Sequence, residues 1–198
     1  MKLVVFDLGH VIVEFNWTAV CEGFARRARI PRENFDLVLN YLGSLGYERG
    51  KISTAAFLSE LNRILKLDLD LAEFTQLWNT TFEEDKEVTA LMGRLNKQLP
   101  LYLLSNTNEN HYQYIQQRFN IEKYFKELIL SYRVGHIKPE AEIYDEVFKR
   151  SGLKPTECLF IDDLLLNIEA AHDLGMKTIL YKGVEDLKQR LNQFGVTV

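Results

Sequence analysis

The chain of 198 residues reads as an α/β protein: a doubly wound, parallel, Rossmann-like sheet with a helical cap inserted into it. Three observations predict this. Short, fully apolar runs recur and end in polar residues, helical patterns alternate with them, and the connection between the first two runs is far longer than a crossover requires.

The first run, Leu3-Val4-Val5-Phe6, has β-branched and aromatic members and no polar break, the pattern of a strand buried on both faces. Asp7 therefore stands at its carboxyl end, the rim on which open α/β sheets bind ligands. Two places on, Gly9 lets the backbone turn sharply or approach a ligand closely.

Helical spacing takes over after Val13. Asn16 is placed to cap a helix carrying Trp17, Val20, Cys21, Phe24 and Ala28, which ends near Pro31. A second helix sets Phe35, Val38, Leu39 and Leu42 on one face and gives way to a loop over Gly43–Gly50. Ser53 caps a third, with Phe57, Leu58, Leu61, Ile64 and Leu65, and Asp70 with Glu73 forms a capping box for a fourth, with Phe74, Leu77 and Trp78. Their periodic apolar stripes are core, since such faces bury against one another.

A helix over Val88–Leu95 leads into the second buried run, Leu99–Leu104, which delivers Ser105 and Asn106 to the same rim. A helix through Tyr112, Ile115 and Phe119 follows, then a short strand near Leu128–Leu130. The loop Gly135-His136-Ile137-Lys138-Pro139 comes next, with Pro139 suited to the first turn of a helix reaching Arg150. Cys158–Ile161 is a third buried strand, ending in Asp162-Asp163, and a helix from about Asn167 stops at Gly175. Thr178–Tyr181 makes the last strand and Val184–Phe194 a closing helix. The excess length between the first two strands assigns residues 16–83 to the cap and residues 1–15 and 84–198 to the core.

Composition narrows the partners. With 46% hydrophobic residues the chain can bury a sizeable core, and a net charge of −4 offers no basic footprint for nucleic acid or an anionic membrane. Cys21 and Cys158 lie in apolar surroundings without metal-ligand spacing, so reduced core thiols are expected. No spanning or export segment is visible, which makes a cytoplasmic protein the expectation.

Three strand ends thus present Asp7, Ser105-Asn106 and Asp162-Asp163, with Lys138 on a loop between them. Like charges about 4 Å apart repel by roughly 4 kcal/mol at an effective dielectric of 20, so tandem acids beside Asp7 call for a cation. Three carboxylates against one ammonium leave room for a divalent ion, and hard oxygen donors select Mg²⁺. The competing reading is that one of the tandem acids simply caps the helix that follows.

Taken in order, Phe6-Asp7-Leu8-Gly9, Leu104-Ser105-Asn106, Gly135-His136-Ile137-Lys138-Pro139 and Phe160-Ile161-Asp162-Asp163 with Asn167 carry a resemblance. The chain resembles the haloacid dehalogenase-like hydrolase superfamily over nearly its full length, in the group with a helical cap between the first and second motifs. That resemblance implies a magnesium-dependent phosphatase acting on a small phosphate ester, such as a sugar phosphate, through an aspartyl phosphate on Asp7. It implies Ser105 and the backbone near Asn106 as donors to the phosphoryl oxygens and Lys138 as the cation that stabilises spreading charge. The metal would be held by Asp7, the Gly9 carbonyl and Asp163, with Asp162 sharing it or acting through water. From the cap, Arg49 or Glu48 would contact the non-reacting part of the substrate.

One position departs from many of the phosphatases it resembles, which have Asp where this chain has Gly9 and use it as general acid and base. A subgroup resembling bacterial sugar-phosphate phosphatases shares the glycine. Losing such a group lowers rates by about a hundredfold or more. His10 is the nearest titratable stand-in, while His111 and His172 read as ordinary helix residues. Two alternatives remain open. One is metal-free haloacid dehalogenation, disfavoured by the tandem acids, and the other is a catalytically weak domain binding phosphate or a partner.

Overall fold

The computed structural model describes residues 1–197. Its chain runs β1 (Leu3–Phe6), β2 (Val13–Glu14), α1 (Trp17–Ala28), α2 (Arg32–Ser44), α3 (Thr54–Leu65), α4 (Leu71–Asn79), β3 (Glu83–Glu84), α5 (Lys86–Leu95) and β4 (Leu101–Ser105). It continues through α6 (Glu109–Phe119), β5 (Glu127–Leu130), α7 (Ser131–Val134), α8 (Ala141–Ser151), β6 (Cys158–Asp162), α9 (Leu165–Asp173), β7 (Lys177–Leu180) and α10 (Val184–Gln193). The five long strands form one parallel sheet in the order β5-β4-β1-β6-β7. The sequence order reverses at β1, and the crevice at such a point is where open sheets bind ligands.

Alternation along the strands explains the layering, because successive side chains point to opposite faces. Val4, Phe6, Leu101 and Leu103 pack into one buried cluster with Met92 and Leu95 of α5, Ile115 of α6 and Leu187 and Leu191 of α10. Leu3, Val5, Tyr102 and Leu104 face the other way, onto Ile143 and Val147 of α8 and Ile168 and Ala171 of α9. Helices thus cover both faces, as a parallel sheet requires. Both cysteines are buried and unpaired. No helix among the described residues is long and apolar enough to cross a membrane.

The four helices between β2 and β3 form a third cluster with its own aromatic centre. Phe24 stacks on Phe35 with ring centroids 5.5 Å apart, and Phe57, Phe74 and Trp78 close around them. The caps are where the residue types put them. Asn16 accepts from the Ala19 N–H at 3.0 Å, Ser53 from Ala56, and Asp70 and Glu73 bond reciprocally.

Four local expectations change. The stretch Gly43–Gly50 is not simply a loop: α2 runs to Ser44 and a 3-10 turn follows at Tyr47–Arg49, flanked by Gly46 and Gly50 at φ of 75° and 65°. Pro139 does not open its helix, since a tight turn from Ile137 to Glu140 intervenes, closed by the Glu140 N–H on the Ile137 carbonyl at 2.9 Å. The second strand begins at Leu101 rather than Leu99, because Pro100 has no N–H to give the ladder, although its carbonyl accepts from Val4 at 3.3 Å. The pair β2–β3 was not foreseen. Val13 faces Glu84 and Glu14 faces Glu83 in antiparallel register, so the two connections between sheet and helical block are zipped together.

Candidate active site

The carboxyl ends of β1, β4 and β6 converge on one buried ammonium. Lys138 Nζ lies 2.6 Å from Asp7 Oδ1 and 2.7 Å from Asp162 Oδ2, and above the Phe160 ring at 5.5 Å. Asp7 is placed by the sheet, its N–H donating to the Ile161 carbonyl of β6 at 2.9 Å. Lys138 is placed by Asn106: its N–H donates to Asn106 Oδ1 at 2.7 Å, and Asn106 Nδ2 donates to its carbonyl at 2.9 Å. The amide of Asn106 is thus spent on holding the lysine loop. Ser105 is buried, and its hydroxyl makes only a long 3.4 Å contact to the Asn106 carbonyl, which leaves it free to donate elsewhere.

The tandem acids have different surroundings. Asp162 is fully buried and saturated: Oδ1 accepts from the Leu164 N–H at 2.8 Å and Asn167 Nδ2 at 3.0 Å, and Oδ2 from Lys138 and, at 3.1 Å, Asn167. It holds the lysine and, through the Leu164 N–H, braces the turn ahead of α9, but neither acid caps that helix, whose first turn has no side-chain cap. Asp163 is half-buried and has no side-chain hydrogen bond or ion pair to another described residue. Loss of solvent and then the adjacent Asp162 raise its pKa.

Burial is also the largest influence on Asp7. It pushes the carboxyl up to about 7, with Lys138 pulling down and Asp162 pushing up. Burial opposes the Lys138 charge as well, but Asp7 and Asp162 together outweigh it and raise that pKa. The ammonium is held charged between two acids.

These donors fit a hard divalent ion. One oxygen each from Asp7, Asp162 and Asp163 lie within 4.8 Å of one another. Because Asp162 is already saturated, the ligands with spare capacity are Asp7, Asp163 and the Gly9 carbonyl, which accepts no hydrogen bond among the described residues. All are oxygens, the donor type that suits Mg²⁺.

Gly9 is closely covered. A Cβ there would lie 3.1 Å from Cε1 of Phe15, so a larger side chain needs that ring to give way. Phe15 in turn stacks on His10 at 4.3 Å, and His10 Nδ1 pairs with Glu14 Oε2 at 2.9 Å. His10 is thus oriented by a carboxylate beside the metal-ligand set.

A cavity of about 470 Å³ opens from Leu8, Gly9, Ser105 and Asn106 toward the helical block, within the size range of small-molecule sites. Trp17, Trp78, Phe82 and His111 line it, none of which the sequence marked as more than core or helix surface. His111 is the clearest miss. It stacks on Trp78 at 5.3 Å, and burial drives its pKa down to about 3, so the imidazole is neutral. Arg49 also borders the cavity, but both ends of its guanidinium grip Glu140 of the Lys138 loop.

Comparison with known proteins identifies the architecture. A family model described as haloacid dehalogenase-like hydrolase matches residues 1–175. The chain belongs to that family. It is 30% identical to a D-ribitol-5-phosphate phosphatase of Bacteroides thetaiotaomicron, over 96% of this chain and 97% of that one. Its fold matches the HAD family enzyme bt-2542 of the same organism, in complex with magnesium and inorganic phosphate, with TM-score 0.84 and 26% identity over 96% and 98% of the two chains. It also matches a predicted HAD-like family hydrolase from Porphyromonas gingivalis, with TM-score 0.86 and 26% identity over 98% and 97%. As a member of this hydrolase family, the chain has the four motifs in order at the ends of its strands and on its lysine loop.

Proposed function

We propose that this hydrolase is a magnesium-dependent phosphatase of small sugar-phosphate-like metabolites, with its core over residues 1–15 and 84–198 and its cap over residues 16–83. The observation that carries the proposal is the placement of Asp7: a carboxylate at the switch point of the sheet, 2.6 Å from a buried ammonium and beside a second, unpartnered carboxylate, Asp163. Its relative that hydrolyses D-ribitol 5-phosphate, and the related structure with magnesium and phosphate, support the substrate class and the metal.

In this mechanism Asp7 attacks phosphorus, forming an acyl phosphate as the bond to the ester oxygen breaks, and water then hydrolyses the acyl phosphate to release phosphate and regenerate the carboxylate. Asp7, Asp163 and the Gly9 carbonyl would hold magnesium, which would supply positive charge against the phosphoryl oxygens. Lys138 reduces the repulsion between Asp7 and the incoming dianion, and Ser105 with the backbone near Asn106 donates to the phosphoryl oxygens. Asp162 and Asn106 act through Lys138, fixing its head and its backbone. His10, paired with Glu14, is the candidate for managing the leaving-group proton in place of an acid at position 9. Two buried, unpaired thiols suit the cytoplasmic location expected from the sequence.

The test is hydrolysis of p-nitrophenyl phosphate and a panel of sugar and polyol phosphates with Mg²⁺, with EDTA, and with Asp7→Asn. Turnover that disappears under both treatments is the expected result. Chloride release from a haloacid that persists in EDTA would select dehalogenation instead.

A further inference from the structure

The cavity beside the catalytic rim carries charge on its cap side, and two of the three side chains on the turn there are already committed. The Tyr47 hydroxyl bonds Thr54 Oγ1 at 2.9 Å, and Arg49 is neutralised by Glu140. Between them, Glu48 lines the cavity with no hydrogen bond or ion pair to any described residue. It is open to the water of the cavity, yet enough protein surrounds it that desolvation alone raises its carboxyl above the ordinary range. A carboxylate in that setting takes its donors from water, and a ligand that displaces that water has to bring a donor of its own.

Much of the remaining lining is apolar and aromatic, with Phe15, Trp17, Phe57 and Trp78 among it. Such rings accept the C–H face of a carbohydrate chain but leave its hydroxyls without partners, whereas Glu48 accepts hydroxyl protons and repels a second anion. Resting on the phosphatase reading, we infer that Glu48 is the specificity residue of this enzyme. It selects phosphate esters whose leaving group is an uncharged polyol and rejects those whose leaving group carries a carboxylate or a further phosphate. The phosphoryl end makes no such distinction, since Asp7, Ser105 and Lys138 meet only the transferred group.

The experiment compares kcat/KM, with Mg²⁺, for D-ribitol 5-phosphate and for its aldonic-acid counterpart, D-ribonate 5-phosphate, in the wild-type enzyme, Glu48→Gln and Glu48→Asp. The ratio of the two values within one variant is independent of how much enzyme is folded. The wild type should favour the polyol by at least about tenfold, an energy difference of roughly 1.4 kcal/mol. Glu48→Gln, which keeps the shape and removes the charge, should shrink that ratio at least about fivefold through KM for both esters. Glu48→Asp should preserve the order of preference.

A ratio unchanged in Glu48→Gln overturns the inference. So does a wild-type preference for ethanolamine phosphate over the pentitol ester, which would make the carboxylate an ammonium site. If the wild type hydrolyses neither these esters nor p-nitrophenyl phosphate, the phosphatase reading fails by itself. Calorimetric titration of the same two pentose esters onto the magnesium-loaded protein then decides the role of Glu48, and equal affinity overturns it.

Discussion

On the sheet side, the proposed nucleophile and its ammonium are each fixed by several partners, Asp7 at the end of β1 and Lys138 on the loop ahead of α8. In the helical block, the charged side chains that face the cavity, Glu48 and Arg49, sit on a three-residue turn between two glycines. Asp7 is tied to β6 through its own N–H, and Lys138 is clamped at its head by Asp7 and Asp162 and at its backbone by Asn106. The turn at Tyr47–Arg49 reaches the sheet through the Arg49–Glu140 pair and the close approach of Gly50 to the Tyr132 backbone. A further link joins Asn79 of α4 to Asn110 of α6 at 2.7 Å. The contrast teaches that reaction geometry is fixed by sheet register, whereas selection is delegated to a part that can be altered without touching it.

Breaking the fixed side should have the largest effect. Asp7→Asn removes the nucleophile and should lower kcat by at least about a thousandfold while thermal unfolding stays cooperative, as single-turnover assays and calorimetry would show. Lys138→Met should be nearly as severe for activity. It also leaves two carboxylates buried beside each other without their cation, so urea titration should show a loss of about 3–5 kcal/mol.

The adjustable side predicts a different signature. At Gly50, a Cβ would fall 2.1 Å from the Tyr132 carbonyl oxygen in a left-handed backbone region. Gly50→Ala should therefore displace the turn, raising KM for a polyol phosphate about tenfold while kcat falls less, and costing about 1–2 kcal/mol of stability. Equal losses in kcat and KM-corrected rate at Gly50 and Lys138 would erase the distinction between the two regions.

The effect that is smallest at neutral pH is a pH dependence at the junction. The folded protein holds His111 neutral with a pKa near 3, while an unfolded histidine titrates near 6.5. Between those values the unfolded chain binds a proton that the folded one refuses, so stability falls as the pH drops from about 6.5 toward 3. The slope approaches roughly 1.4 kcal/mol per pH unit in the middle of that window and is negligible at neutral pH. His111→Phe should flatten that arm of a stability-against-pH curve measured by urea unfolding.

The sheet was legible because buried runs such as Leu3–Phe6 and Cys158–Ile161 announce themselves by composition, and their polar ends follow by direction. The helix starts were legible wherever a side chain does the capping, as at Ser53 and Asp70. Other features depend on partners distant in sequence. No local pattern links Arg49 to Glu140, or the Asn106 amide to the Lys138 backbone, so both side chains looked free to meet substrate. Two-residue strands are too short for any periodicity, which hid β2 and β3. Trp17 and Trp78 were hidden for another reason: an apolar stripe has the same spacing whether all of it is core or part of it walls a cavity.

The β2–β3 ribbon has a consequence for how such a chain can change over evolutionary time. Because Val13–Glu14 and Glu83–Glu84 lie side by side, the polypeptide leaves the sheet and comes back at points separated by about one interstrand spacing, roughly 5 Å. Any module whose own two termini are neighbours could be spliced there without altering strand order or the lysine clamp, so the hydrolytic machinery can be inherited whole while its lid is exchanged.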